Sequence, residues 1–289
     1  MGFIHIPNLY KDKTILELFK QCYWSEKIEG STASISWDYM NKTTKLDSGP
    51  TTGTVFLRTL PEDIGERIAK MFPASNVELI GEIYGTKNYL PKKSAKYGVE
   101  LGWVMFKAIV NDCWTSMDDS YDIATKLGLE FVPFGIVEAE IGILDKLRDE
   151  PSLFAQIKGL EGVQREGIVI EPIIPLRMNT GDIVIAKHKG KEESETATVR
   201  EVSNDKLKVL ADAQAIADEW VTPNRLEHVM SKVPNSHING SRHLVIQAMA
   251  DDVYREGTGE IVESREATSA IMKKTAELLR KLNEDTSRN

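Results

Sequence analysis

The chain has 289 residues, enough for one large domain or two of ordinary size, each with a proper core. Apolar residues make up 41%, and no run approaches the roughly 18 apolar positions a membrane helix needs, which argues against a membrane-spanning protein. The net charge of −8 argues against non-specific coating of nucleic acid, because such binding relies on Lys and Arg displacing counterions.

In chain order, the N-terminal MGFIHIPNLYKDK lacks the apolar core of a signal peptide, so a cytoplasmic protein is expected. Residues 13–20 and 61–72 have helical spacing, the second with Pro61 near its first turn and acidic residues beside it. Alternation or apolar runs predict strands at 32–37, 54–57, 77–83, 103–110, 167–170 and 182–186, separated by clusters of Gly, Pro, Asn and Asp. Strands interrupted by helices at irregular spacing predict an antiparallel α+β fold and not a doubly wound sheet. Beyond about residue 208 the texture becomes helical, at 211–217, 224–232, 241–256 and 264–282, the last with Ala267, Ile271, Leu278 and Leu282 along one stripe. Two domains are therefore expected, 1–208 and 209–289, with the polar stretch 189–208 as the hinge or as a solvated edge of the first domain.

Cys22 and Cys113 lie far apart and in no C-x-x-C pattern, so neither a disulfide framework nor a thiolate zinc site is expected. The five histidines show no paired spacing and read as surface or capping residues. A Walker A sequence, a G-x-S-x-G elbow and the G-x-G-x-x-G dinucleotide fingerprint are absent. What remains is an ordered set. Glu26-Lys27-Ile28-Glu29-Gly30 places a lysine in an acid-flanked turn before a strand. Gly81-Glu82-Ile83-Tyr84-Gly85, Val104-Met105-Phe106, Glu166-Gly167-Ile168-Val169-Ile170 and Ile185-Ala186-Lys187-His188-Lys189 follow it. Taken singly, Phe106 reads as core, Glu82 as a strand-end charge, and Lys187 and Lys189 as a solvated edge; the order is what joins them.

This ordered set resembles the motifs of the covalent nucleotidyltransferases, the superfamily of polynucleotide ligases and mRNA capping enzymes. The segment 219–232 (EWVTPNRLEHVMSK), Arg255-Glu256-Gly257 and a closing helix resemble, more narrowly, the C-terminal domain of the phage-type nick-sealing RNA ligases, the second RNA ligase type. The resemblance implies an antiparallel nucleotidyltransferase domain (an ATP-grasp-like adenylation fold) followed by a small helical domain. It also implies an ATP-dependent RNA ligase, active in RNA repair, that joins 3′-hydroxyl and 5′-phosphate ends through a lysyl-AMP intermediate. By the same resemblance Lys27 takes the AMP, Glu26 helps read the adenine, Ile28 belongs with the nucleotide-binding residues, and Glu82 engages the ribose hydroxyl or metal. Phe106 stacks on the adenine, Glu166 holds Mg2+ or Mn2+, and Lys187 and Lys189 contact the phosphates. The chemistry suits those residue types, since an attacking lysine must lose its proton and hence fall below the ordinary ~10.4, while magnesium prefers oxygen ligands. The implied partner is nicked duplex RNA, bound by a monomer, with Arg225, Lys232, Arg242 and Arg255 as candidates for backbone contacts.

Four positions depart from that family. Glu29 stands where histidine is usual, Asp47 where an arginine precedes a small-Gly-Pro turn, Lys107 where aspartate follows the stacking phenylalanine, and Glu171 where lysine is expected. Three of the four are charge reversals, so Lys107 is expected between Asp47 and Glu171 in a network inverted as a unit. A DNA ligase or GTP-dependent capping-type enzyme, and an end-binding protein without activity, remain the alternatives.

Overall fold

A computed structural model describes residues 5–48, 56–85, 92–179, 181–200, 202, 209–233 and 241–286. It divides into two compact units, Met1–Gly190 and Lys191–Asn289.

Unit 1 is built on two antiparallel sheets. The first contains β1 (Gln21–Lys27), β7 (Phe134–Glu138), β8 (Gly167–Pro172) and β9 (Ala186–Lys189) in the order β7-β1-β8-β9. The second contains β2 (Ser31–Asp38), β3 (Thr43–Asp47), β4 (Val77–Tyr84), β5 (Gly102–Val110) and β6 (Cys113–Trp114) in the order β3-β2-β4-β5-β6. Ile35, Leu79, Ile83, Trp103 and Met105 pack with Ile64 and Ile68 of α1 (Ile64–Met71) and with Ile123 and Leu127 of α2 (Met117–Leu127) in one core. Tyr23, Ile28, Tyr84, Tyr97, Val104 and Phe154 form a second core, with Phe106 and Phe134 packed against it. Two short helices, α3 (Ile141–Asp149) and α4 (Leu153–Ile157), complete the unit. The antiparallel α+β expectation holds.

The strands expected at 32–37, 77–83, 103–110 and 167–170 are β2, β4, β5 and β8. Three expectations are corrected. Lys27 is the last residue of a strand, not part of a turn before one. Of the strand expected at 182–186, Ile183 makes only an isolated bridge to Arg177, and the ladder with β8 begins at Ala186. Residues 54–55 lie outside the described residues, and the Phe56 that continues that run is a fully buried anchor in helical backbone, not a strand residue.

Unit 2 is helical, with α5 (Ala213–Trp220), α6 (Pro223–Lys232), α7 (Arg242–Glu256) and α8 (Arg265–Thr286). Asp212 and Thr222 cap α5 and α6, and Pro223 occupies the first turn of α6, where its missing N–H costs nothing. The core joins Trp220, Leu226, Met249, Val253, Ala267, Ile271 and Leu279. Of the expected stripe, Ala267 and Ile271 are fully buried and Leu278 is partly buried, whereas Leu282 is exposed and Leu279, outside the stripe, is the buried leucine. The boundary expected at 208 lies outside the described residues. Contacts assign the chain from Lys191 to the helical unit, where Thr198 bonds Glu219, and Arg200 reaches Glu219 and Glu260 at 2.8 Å each. Arg225 is also corrected. It is 2% exposed, pairs with Asp252 at 2.6 Å and donates to the Trp220 carbonyl at 3.0 Å, so it braces the helices and presents no charge to a backbone. Arg255 pairs with Asp252 as well, while Arg242 is exposed. No described helix is long and apolar enough to cross a membrane.

Candidate active site

Lys27 ends β1, and its Nζ donates to Glu166 Oε2 at 2.8 Å. The other oxygen of the same carboxylate takes Lys189 Nζ at 3.2 Å. Pairing explains why residues so far apart in sequence meet, since Lys27 lies opposite Gly167 on β8 and Gly167 lies opposite Lys189 on β9. Directly paired residues share a sheet face, so Lys187, opposite Val169, stands on that face too. His188 points the other way. It is 4% exposed, with Nε2 2.7 Å from Asp145 and 3.0 Å from Arg148, and it ties β9 to α3; the surface or capping role expected of it is not what it has.

Two glycines are fixed by close approach. A Cβ on Gly30 would lie 2.0 Å from the Ile83 carbonyl oxygen and 3.0 Å from Glu82 Cγ, so the glycine of the K-x-x-G string lets Glu82 cross beside the lysine. A Cβ on Gly167 would lie 2.3 Å from the His188 carbonyl oxygen, so only glycine lets β8 and β9 close behind Glu166.

Glu82 accepts from Thr32 Oγ1 at 3.0 Å. Phe106 owes its direction to a bulge: Met105 pairs with Gly81 and Lys107 with Ile80, leaving Phe106 as the extra residue. Phe106 therefore packs against the core of Tyr23 and Ile28, and Lys107 reaches Glu171 from the same side of β5. Ile28 is itself buried in that core. Glu26 is 2% exposed; its carboxylate accepts from the Ser152 hydroxyl and, at 3.1 Å, from the Phe154 N–H. Ser152 and Phe154 carried no sequence signal, because their role is a contact across more than a hundred residues.

Of the inverted network, the pair Lys107–Glu171 is present, with Nζ 2.6 and 2.7 Å from the two oxygens. Asp47 is not beside it. Asp47 on β3 is three strands from Lys107, through Ser34 and Ile80, which at ~4.8 Å per strand is ~14 Å. The second carboxylate acting on Lys107 is Asp119. Gly49 and Pro50 of the neighbouring turn lie outside the described residues.

The charges around Lys27 act on one another. Burial alone would lower its pKa, but Glu166, helped by Glu82 and Glu29, outweighs burial and Lys189 and raises it. Glu166 stays ionised, because Lys27 and Lys189 overcome its burial. Burial and Glu166 push Glu29 up to about 7, against the pull of Lys27 and Lys189. Burial pushes Glu82 up to about 8, against the pull of Lys27. Both of these carboxyls bind protons in the folded chain at a pH where an ordinary glutamate, at ~4.3, has lost them. Stability of the ligand-free protein should therefore fall as pH rises from the ordinary glutamate value through 7 to 8. Glu82→Gln removes one contribution, so its melting temperature is expected to gain on the parent's as pH rises over that range. Parallel melting curves across the range would contradict this electrostatic picture.

A family model for RNA ligases matches residues 20–189. This span exceeds half of the chain and holds every residue of this site; the chain belongs to the RNA ligase family. Among solved structures, the chain is similar to the Naegleria gruberi RNA ligase with PPi, at 14% identity and a TM-score of 0.50, over 66% of this chain and 56% of that one. A mutant of the same ligase with ATP and Mn gives 14% identity and a TM-score of 0.51, over 66% and 57%. The chain thus spans little more than half the length of that ligase, and the likeness establishes a shared fold. Curated proteins gave no match.

Proposed function

We propose that the protein is an ATP-dependent RNA ligase that forms a covalent lysyl-AMP at Lys27. The observation that carries this reading is a lysine at a strand end, 23% exposed, sharing one buried carboxylate with a second lysine. In the first step Lys27 gives up its proton to water, the neutral amine attacks the α-phosphorus of ATP, the N–P bond forms and pyrophosphate leaves. Transfer of AMP to an RNA 5′-phosphate and attack by a 3′-hydroxyl would then seal the ends and release AMP. Lys187 and Lys189 stand on the face where phosphate charge would be offset, and Phe106 offers the adenine an apolar wall.

Among the described residues no three of His, Cys, Asp and Glu gather closely enough to hold a metal alone. Glu166 and Glu82, with Glu29 near them, are nevertheless an all-oxygen donor set of the kind Mg2+ or Mn2+ takes when phosphates and water complete its shell. The neighbouring ligase was solved with ATP and Mn, which agrees with that choice. Such an ion, when bound, supplies positive charge that lowers the proton affinity of Lys27 and offsets charge on the α-phosphate. Glu166 and Glu82 would hold it, and Glu166 would also orient Lys27.

The test is incubation with labelled ATP or labelled GTP, followed by peptide mass spectrometry. The expected result is one AMP on Lys27 from ATP alone; label from GTP, or none from either, would refute it. A chain ending at Gly190 keeps both cores of unit 1 and all of these residues. It is expected to form the Lys27 adduct at a rate near the parent's while sealing nicked duplex RNA at least ~10-fold more slowly, because in this reading the helical unit positions the RNA ends. Equal sealing by the two chains would give that unit another role.

A further inference from the structure

Arg165, beside Glu166, is the least explained charge in unit 1. Its side chain is wholly buried, with its guanidinium 5.1 Å from the centre of the Trp24 ring. Nη2 donates to the Pro151 carbonyl at 3.0 Å and lies 3.6 Å from Glu150 Oε2. Nε and Nη1 find no acceptor among the described residues. Buried donors without acceptors are rare because burial strips their water without replacing it, and an apolar side chain would fill the site more cheaply. Packing therefore does not account for a guanidinium here.

Its contacts lead to Lys27. Arg165 grips the 150–154 turn, which Ser152 N–H also fastens to the Val163 carbonyl at 2.8 Å. From this turn the Ser152 hydroxyl and Phe154 N–H bind Glu26, the residue before Lys27 and the charge that acts most strongly on Arg165. The Phe154 ring packs against Tyr97 at 5.5 Å, and the Tyr97 hydroxyl accepts the N–H of Glu29 at 3.2 Å. One support thus holds the chain on both sides of the lysine.

We propose that Arg165 is a positioning residue for Lys27, fixing the 150–154 turn that pins Glu26 and, through Phe154 and Tyr97, Glu29. The inference rests on the reading of Lys27 as the nucleophile. A lysine at 165 would keep the charge but not the flat, forked contact with Trp24 and Pro151.

The experiment is single-turnover adenylylation of the full chain over a range of ATP concentrations, with melting temperature measured alongside, for Arg165→Met, Arg165→Lys and Ser152→Ala. Arg165→Met is expected to lower the maximal rate by 10- to 100-fold, the order seen when a supporting contact is lost, with KM for ATP little changed. Arg165→Lys should fall between it and the parent, and Ser152→Ala should lower the maximal rate in the same direction. A lower melting temperature with the parental maximal rate, or a rise in KM alone, overturns the proposal. If Arg165→Met does not fold, Arg165→Lys and Ser152→Ala decide, and parental rates in both overturn it. A parent protein that forms no adduct sinks the ligase reading and this inference with it, whereas a normal parent with unaffected variants sinks this inference only.

Discussion

Lys27→Ala and Lys27→Arg are expected to abolish the AMP adduct, with a loss of ~10⁴-fold or more, the scale found when a covalent nucleophile is removed. Neither should unfold the protein. The Lys27 side chain is 23% exposed at the end of β1, and Lys189, 3.2 Å from Glu166 in the parent, remains as a partner for that carboxylate. The alanine variant leaves Glu166 with one cation instead of two, so a modest fall in melting temperature is expected. The arginine variant separates chemistry from electrostatics. It preserves a positive charge beside Glu166, yet a guanidinium does not give up its proton in a protein and cannot attack phosphorus. Intact mass, peptide mapping and a melting curve on each variant settle the matter. An adduct that persists at another lysine in Lys27→Arg would show that the motif order misplaced the nucleophile.

How much of this was legible beforehand differs from element to element, for physical reasons. β4, β5 and β8 announced themselves because apolar residues run or alternate between turn-forming residues. β1 did not: residues 22–26, Cys22 to Glu26, are all buried, since the strand is central in its sheet, and a run that includes Ser25 and Glu26 has no period to detect. Residues 54–57 read as a strand because an apolar run as short as Val55-Phe56-Leu57 carries no period that separates a strand from a helical turn. The order of the site motifs was readable, and with it Lys27, Glu166 and Lys189. Their mutual contacts were not, because those depend on register among β1, β8 and β9. Nor could the sequence disclose the extra residue in β5 that turns Phe106 and Lys107 to one side, the reach of Ser152 to Glu26, or the capture of residues 194–200 by the helical unit.

The buried pair Lys107–Glu171 yields the largest stability effects. Both side chains are nearly water-free, at 2% and 9% exposure, and Lys107 lies 5.4 Å from the centre of the Trp114 ring. Burial pulls Lys107 down and Glu171 up, and their mutual attraction opposes this only in part. The pair therefore contributes less net stability than its short contacts suggest, because desolvation offsets the Coulomb gain. Breaking it is another matter. Lys107→Glu alone sets two buried carboxylates against each other with Asp119 acting on the same place, and is expected to cost at least the ~3–5 kcal/mol typical of a broken buried pair. Lys107→Glu combined with Glu171→Lys restores opposite charges in the reverse order and should recover most of that loss, a strongly non-additive cycle. Lys107→Met with Glu171→Met should match or exceed the parent in stability, since an apolar pair avoids the desolvation. Asp47→Arg, ~14 Å away across three strands, should add to each of these within ~0.5 kcal/mol. Thermal melts of the single, double and combined variants test the cycle, and ATP titrations of the folded ones show whether Phe106, next in the chain, keeps its place. If the charge-swapped double variant is no more stable than Lys107→Glu alone, the two side chains do not act as a unit.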